Sequence, residues 1–319
     1  MAILIHAQWR KTVNQGSRRA IYAAFAANLG IAIAKLIGAI ITGSAGLLAE
    51  TFHSLADTGN QALLLVGGRR AERKASEEHP FGYGSERYFW SFVVALVLFS
   101  LGGLFALFEG VQKLRDPHEA SHLRLAVFIL IVAIVLESIS LRTAVREAKH
   151  SKPSDESWWS YIRKSKEPEL PVVLLEDIGA EIGLIFALIG VIVASVTGNS
   201  RWDALGSLAI GVLLIAIAYV LAVKMKSLLI GEAATSEVQQ HVTAALIGHP
   251  DVIRIIHMRT LHLGPDEILL AVKIEFNRQL SVTQLAKAID DAEVRARDAI
   301  HQRLVIYIEP DIMDTSRTL

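Results

Sequence analysis

Six stretches of this chain are long enough and apolar enough to cross the roughly 30 Å hydrocarbon layer of a membrane, which takes about 20 helical residues. They lie near 21–42, 45–67, 89–111, 125–144, 172–196 and 204–223 of the 319 residues. Only Gly43 and Ser44 separate the first two, which predicts a tight helical hairpin. The segment before Arg18 lacks a long apolar core followed by a small-residue cleavage site, so the first span is expected to act as its own insertion signal. These runs account for the positive mean hydropathy, +0.40, of a chain that is 52% hydrophobic.

Charge and cysteine content narrow the chemistry. The 32 basic residues match 32 acidic ones, without the basic excess that a nucleic-acid binder needs against phosphates. The absence of cysteine excludes a disulfide scaffold, a thiol nucleophile, an iron–sulfur cluster and any thiolate metal site. A bound metal must use imidazole, carboxylate, amide or water ligands, which suits borderline and hard divalent ions.

The even charge total conceals an asymmetry. The leading segment (Arg10, Lys11, Arg18, Arg19), the second connection (Arg69, Arg70, Arg73, Lys74, Arg87) and the fourth (Arg142, Arg146, Lys149, Lys152, Arg163, Lys164, Lys166) place sixteen basic residues on one side. The first, third (Lys113, Arg115, Arg124) and fifth (Arg201) connections place four on the other. Basic residues favour the cytoplasmic side, so both termini are expected there, or on the equivalent side of an organelle membrane. The bacterial inner membrane is the expected host and an organelle membrane the alternative. Trp158, Trp159 and Tyr161 of the fourth connection suit an anchor at the lipid interface.

Beyond Lys224 and Lys226 the composition becomes that of a small soluble domain. Thr235 or Ser236 can cap a helix that reaches His249, where Pro250 ends it. Val252–Leu261 and Ile268–Phe276 alternate as strands around the turn Gly264-Pro265-Asp266. Ser281 to Gln284 is a capping box opening a helix to about His301, and Leu304–Ile308 is a strand. The expected order is α-β-β-α-β, a ferredoxin-like α+β layer. The predicted organisation is a segment 1–20, a six-helix membrane domain 21–228 and a cytoplasmic domain 229–319.

Ionisable groups at membrane depth need a reason. In span two His53 and Asp57 are spaced i,i+4 and leave one helix face a turn apart, as two ligands of one metal ion would. Glu50 and Asn60 fall near the same stripe, with solvation at the membrane boundary as the alternative for Glu50. Span five brings Glu176, Asp177 and Glu181 near its start. Two helices each bringing two ligands can complete a tetrahedral site of His, Asp, Asp and Glu type. The competing readings are a structural His–Asp hydrogen bond and carboxylates at headgroup level. Asn28, Lys35, Glu109 and Glu137 are expected to be structural, with Lys35 either snorkelling or pairing with an acid. HExxH, GxSxG, a Walker loop and a strand-borne GxGxxG are all missing, which leaves an ion gradient as the energy source.

Three stretches resemble the cation diffusion facilitators, a family of divalent-cation transporters. They are Gly43 to Asp57 (GSAGLLAETFHSLAD), His79 to Arg87 (HPFGYGSER) and Trp202 to Gly211 (WDALGSLAIG). Asp57-Thr-Gly-Asn-Gln61 and the Leu-Leu-Glu-Asp177 run resemble the branch that includes the animal mitochondrial zinc transporter and bacterial relatives. The resemblance implies six spans, cytoplasmic termini and a homodimer joined through the C-terminal domain. It also implies efflux of Zn²⁺, or of Mn²⁺, Fe²⁺ or Co²⁺, in exchange for protons, with no enzymatic activity and no cofactor. His53 and Asp57 match the family's span-two ligands. In span five the spacing selects Asp177 and Glu181, whereas the branch resemblance favours Glu176 and Asp177. Asp177 ranks first, and the fourth ligand stays open. His79 with Glu77 and Glu78, and His257 with Glu309, are the positions at which the resemblance would place peripheral or regulatory metal; His249, His262 and His301 have no assigned role. A membrane metal sensor or scaffold and a membrane metalloenzyme are the rival readings.

Overall fold

The computed structural model describes residues 29–117, 123–152 and 156–312. The basic residues of the leading segment, the first eight residues expected in span one, Asn28 and the last seven residues lie outside that range. The described chain forms two compact units. One contains Ser91–Glu156, Glu169–Val223 and the chain up to Leu65; the other contains Val66–Trp90, Ser157–Pro168 and the chain from Lys224 onward.

The first unit is helical. Helix α1 is described over Leu29–Thr42. It is followed by α2 (Ala45–Ala71), α3 (Glu86–Val97), a π-helical turn over Leu98–Leu104 and α4 (Phe105–Arg115). Then come α5 (Leu123–Ser151), α7 (Glu169–Thr197) and α8 (Arg201–Ile230), with the short α6 (Trp158–Lys164) belonging to the second unit. Among the described residues, four helices are long and apolar enough to cross a membrane: Glu86–Arg115, Arg124–Lys149, Glu169–Thr197 and Arg201–Ile230. A helix satisfies its own backbone groups, which is why such runs are helical. Small and branched side chains form the core, among them Leu47, Val94, Leu130, Leu184, Ile210 and Leu214. Large apolar residues such as Ile40, Phe108, Phe128 and Val212 lie on the outside.

Helix α2, expected as span two, is not among these four. It is 27 residues long, yet it carries Glu50, Thr51, His53, Ser54, Asp57, Thr58 and Asn60. All of these except Asp57 are buried. Polar burial of this density is why hydropathy does not single out the helix. The α1–α2 hairpin is tight, as expected. Gly43 adopts φ +63°, a left-handed conformation that glycine takes without a Cβ penalty, and its N–H closes α1 on the Ala39 carbonyl at 2.8 Å. Ser44 then caps α2 by accepting from the Leu47 N–H at 3.2 Å.

Asp203, at the start of α8, completes that cap. It accepts from Ser44 Oγ at 2.8 Å and from the Ala45 and Gly46 N–H groups at 2.8 and 3.3 Å. It also pairs with Lys113 at 2.9 Å. Lys113 was expected in a solvated connection. It is instead buried in α4, which continues past the end of the apolar run, and donates also to the Gly43 carbonyl.

In the second unit, α9 (Ser236–Ile247), β1 (Val252–Gly264), β2 (Glu267–Phe276), α10 (Val282–Asp298) and β3 (Arg303–Pro310) follow in the expected α-β-β-α-β order. The sheet runs β1-β2-β3, with β1 and β2 antiparallel and β2 and β3 parallel. Thr235 caps α9, and Ser281 with Gln284 forms the capping box of α10. Val242, Leu246, Ile268, Leu270, Ala292 and Leu304 close the core. The loop that begins at His79 lies against the β1–β2 turn: Ser85 Oγ donates to the Leu263 carbonyl at 3.0 Å and Arg87 pairs with Asp266 at 3.0 Å. At Gly84 a Cβ would fall 2.7 Å from the Leu263 carbonyl oxygen, so only glycine fits this approach.

Candidate metal centre

His53 is fully buried, and neither ring nitrogen has a hydrogen-bond partner among the described residues. Its Nδ1 lies 3.6 Å from Asp57 Oδ1, which likewise accepts no hydrogen bond. The i,i+4 spacing thus brings the two groups together without a satisfied hydrogen bond. Buried polar atoms in folded proteins are nearly always partnered, which makes this unpartnered pair the candidate site. The π turn packs against this site: a Cβ at Gly102 would sit 3.9 Å from His53 Nδ1. π turns interrupt α-helices most often at functional sites.

The three candidate carboxylates of α7, Glu176, Asp177 and Glu181, divide between two neighbours. Glu176 is buried and accepts from Asn60 Nδ2 of α2 at 2.6 Å. Asp177 accepts from Ser140 of α5 at 3.2 Å, and Glu181 from Ser138 of α5 at 2.8 Å. Glu176 is therefore the α7 acid hydrogen-bonded to the helix of His53 and Asp57. Asn60 Oδ1 and Glu181 Oε2 remain buried without hydrogen-bond partners among the described residues. Among the described residues, no three histidine, aspartate or glutamate side chains converge on one point, so the four-ligand set is not assembled. What is assembled is a pair on α2 and an acid on α7 joined to that helix through Asn60.

A second cluster was not foreseen in full. Lys35 is buried rather than snorkelling, and its Nζ donates to Ser54 Oγ at 2.8 Å and to Glu50 Oε2 at 3.3 Å. It lies 3.8 Å from Glu137 Oε1. Glu50 is not solvated at a boundary: it is completely buried, and its Oε1 lies where a Cβ on Gly183 of α7 would come within 2.3 Å. The sequence signal was present, since Lys35 and Glu50 flank the hairpin turn. Sequence spacing alone could not assign them to each other.

The other histidines have different neighbours, and His262 Nε2 is buried without a hydrogen-bond partner among the described residues. His79 stacks on Tyr83 with ring centroids 4.5 Å apart, while Glu77 and Glu78 are exposed. His257 Nε2 accepts from Arg259 Nε at 2.8 Å, and Glu309 pairs with Lys273 at 2.9 Å. Lys273 sits between His257 and Glu309 in the strand register. A fixed ammonium between two prospective ligands opposes a cation there. His249 accepts from the Asp251 N–H at 3.2 Å, and His262 Nδ1 meets the Gly264 carbonyl at 3.2 Å. Burial lowers the His262 pKa below the ordinary histidine value.

Residues 21–230 match the cation efflux transmembrane domain. The chain belongs to the cation diffusion facilitator family, a family of membrane transporters, and the zinc-transporter likeness extends to individual relatives. It is 33% identical over 244 residues to the mitochondrial proton-coupled zinc antiporter SLC30A9 of Xenopus laevis, covering 76% of this chain and 44% of that protein. Its identity to metal tolerance protein C4 of Arabidopsis thaliana is 29% over 275 residues, covering 86% and 60%. With the zinc transporter ZitB of Pectobacterium atrosepticum it shares 34% identity over 119 residues, covering 37% and 36%. The chain thus spans under half the length of the SLC30A9 proteins it matches.

Proposed function

We propose that this protein moves Zn²⁺ out of the cytoplasm or matrix in exchange for protons, by secondary active transport with alternating access. The observation that carries the reading is His53: a fully buried imidazole with both nitrogens unpartnered, one turn from Asp57, within a chain of the cation efflux family. His53 and Asp57 bind the ion from α2, and α7 supplies carboxylates from Glu176, Asp177 and Glu181. Glu176, joined to α2 through Asn60, ranks first of these. Formation of the complete ligand set requires α2 and α7 to adjust, as a site that opens in turn to two sides must.

Coupling follows from ligand chemistry. A metal-binding imidazole must be neutral and a metal-binding carboxylate ionised, so protons and metal compete for the same atoms. Proton release accompanies loading, and proton uptake resets the emptied site. One imidazole among carboxylates is a harder donor set than two imidazoles, which leaves room for Mn²⁺, Fe²⁺ or Co²⁺ as alternative cargo.

The same reading takes α1 and α2 as spans one and two, giving six spans with both termini on the cytoplasmic side. Residues 21–228 are then the transport domain. Residues 229–319 are a cytoplasmic ferredoxin-like domain that joins two copies in a homodimer. The test is zinc-dependent proton flux in proteoliposomes under a pH gradient. His53→Ala, Asp57→Asn and Glu176→Gln are expected to remove flux and zinc binding together. Wild-type flux in His53→Ala and Asp57→Asn would overturn the assignment, and folded wild-type protein without flux would overturn transport itself.

A further inference from the structure

Lys35 is a completely buried ammonium for which the proposed ion path has no use. It links three helices: α1 carries it, α2 supplies Glu50 and Ser54, and α5 supplies Glu137. Glu50, His53 and Asp57 stand at i, i+3 and i+7 on α2, so they share one stripe of its surface. The prospective metal pair therefore has a third donor, a carboxylate, one turn from His53. That carboxylate is fully buried, and its Oε1 has no hydrogen-bond partner among the described residues. Its other oxygen is held by Lys35, whose ammonium also engages Ser54.

Accepting the site proposed above, we infer that Lys35 is a positioning residue that determines ion specificity: by holding Glu50, it keeps a third α2 donor out of the ligand set that begins with His53 and Asp57. The consequence is chemical. Zn²⁺ is served by about four ligands including nitrogen, whereas Mn²⁺ favours six-coordinate, oxygen-rich surroundings. Glu50 released toward the metal adds oxygen donors and raises the coordination number, which favours Mn²⁺. The buried charge of Lys35, in contact with Glu50 and Ser54 of the same helix, also opposes any cation at the site. That general effect changes affinity for both metals. The release of Glu50 changes the ratio between them, and the ratio is the diagnostic quantity.

The experiment uses full-length wild type, Lys35→Met, Glu50→Gln and Lys35→Met/Glu50→Gln. Zn²⁺ and Mn²⁺ fluxes are measured in proteoliposomes, and equilibrium binding of the same metals is measured on purified protein. Lys35→Met is expected to lower the Zn²⁺-to-Mn²⁺ ratio in both readouts roughly tenfold, the scale for outer-shell partners of metal ligands. Glu50→Gln alone keeps the wild-type ratio, and the double variant restores it, because without the carboxylate there is no donor to release. A Lys35→Met protein with the wild-type ratio overturns the inference, as does a double variant that stays shifted. If Lys35→Met does not fold, Lys35→Gln takes its place, and a wild-type ratio there overturns the inference. Asp57→Asn serves as the separate control. Retained binding of both metals there means that the underlying site is wrong, whatever the ratios show.

Discussion

The contact between Asp203 and the start of α2 offers a quantitative test of how the helical unit is held together. Asp203 takes three hydrogen bonds from residues 44 to 46 and pairs with Lys113, with both side chains at 5% exposure or less. Asp203→Ala removes the cap and strands the ammonium. Breaking a buried pair from one side costs about 3–5 kcal/mol, and loss of a cap about 1 kcal/mol. The two costs share atoms and do not add, so about 4 kcal/mol is expected, close to three decades in the folded-to-unfolded ratio. Asp203→Asn keeps an acceptor oxygen and fares slightly better. Lys113→Met/Asp203→Asn removes the stranded charge as well, and the loss shrinks to about 1–2 kcal/mol, the scale of the cap alone. Thermal denaturation of the detergent-solubilised protein, followed by the monodisperse fraction, gives the order of midpoints. A double variant no more stable than Asp203→Asn would refute the argument, since the dominant cost would then lie outside the ion pair.

Three further outcomes are expected. Gly84→Ala should destabilise the second unit by forcing a methyl against the Leu263 carbonyl, seen as faster proteolysis around residues 76–87 in the full-length protein. His262 has a lowered pKa in the folded chain, so the unfolded chain binds its proton first. Stability should fall as pH drops below about 6.5, and hydrogen exchange of β1 should lose that part of its pH dependence in His262→Gln. Because Arg259 and Lys273 engage His257 and Glu309, His257→Ala and Glu309→Gln should leave zinc stoichiometry unchanged in equilibrium dialysis.

What could be read from sequence was what is encoded locally. Gly43-Ser44, the Thr235 cap, the Ser281–Gln284 box and the Gly264-Pro265-Asp266 turn each act within a few residues, and each appears where expected. The His53–Asp57 pair was legible for the same reason, being one helical turn. The choice among the α7 acids was not, because Glu176 and Asp177 point about 100° apart and their neighbours come from different helices. Lys113 reads as part of a connection because the apolar run stops near residue 111, whereas the helix continues through polar residues to Arg115. The π turn is not announced by hydropathy, since it lies inside one continuous apolar run.

The pairing of Lys35 with Glu50 also bears on how the protein is made. Under the six-span reading, α2 must enter the bilayer with two acids, an imidazole and several amide or hydroxyl groups along its length. Charged residues at the centre of an inserting helix oppose entry by about 2.5–3.5 kcal/mol each. Gly43 reverses the chain so that α1 and α2 lie side by side, and the ammonium of one then meets the carboxylate of the other. The two helices are thereby suited to leave the translocation machinery together, as a preassembled hairpin in which one of the two acids of α2 is already neutralised.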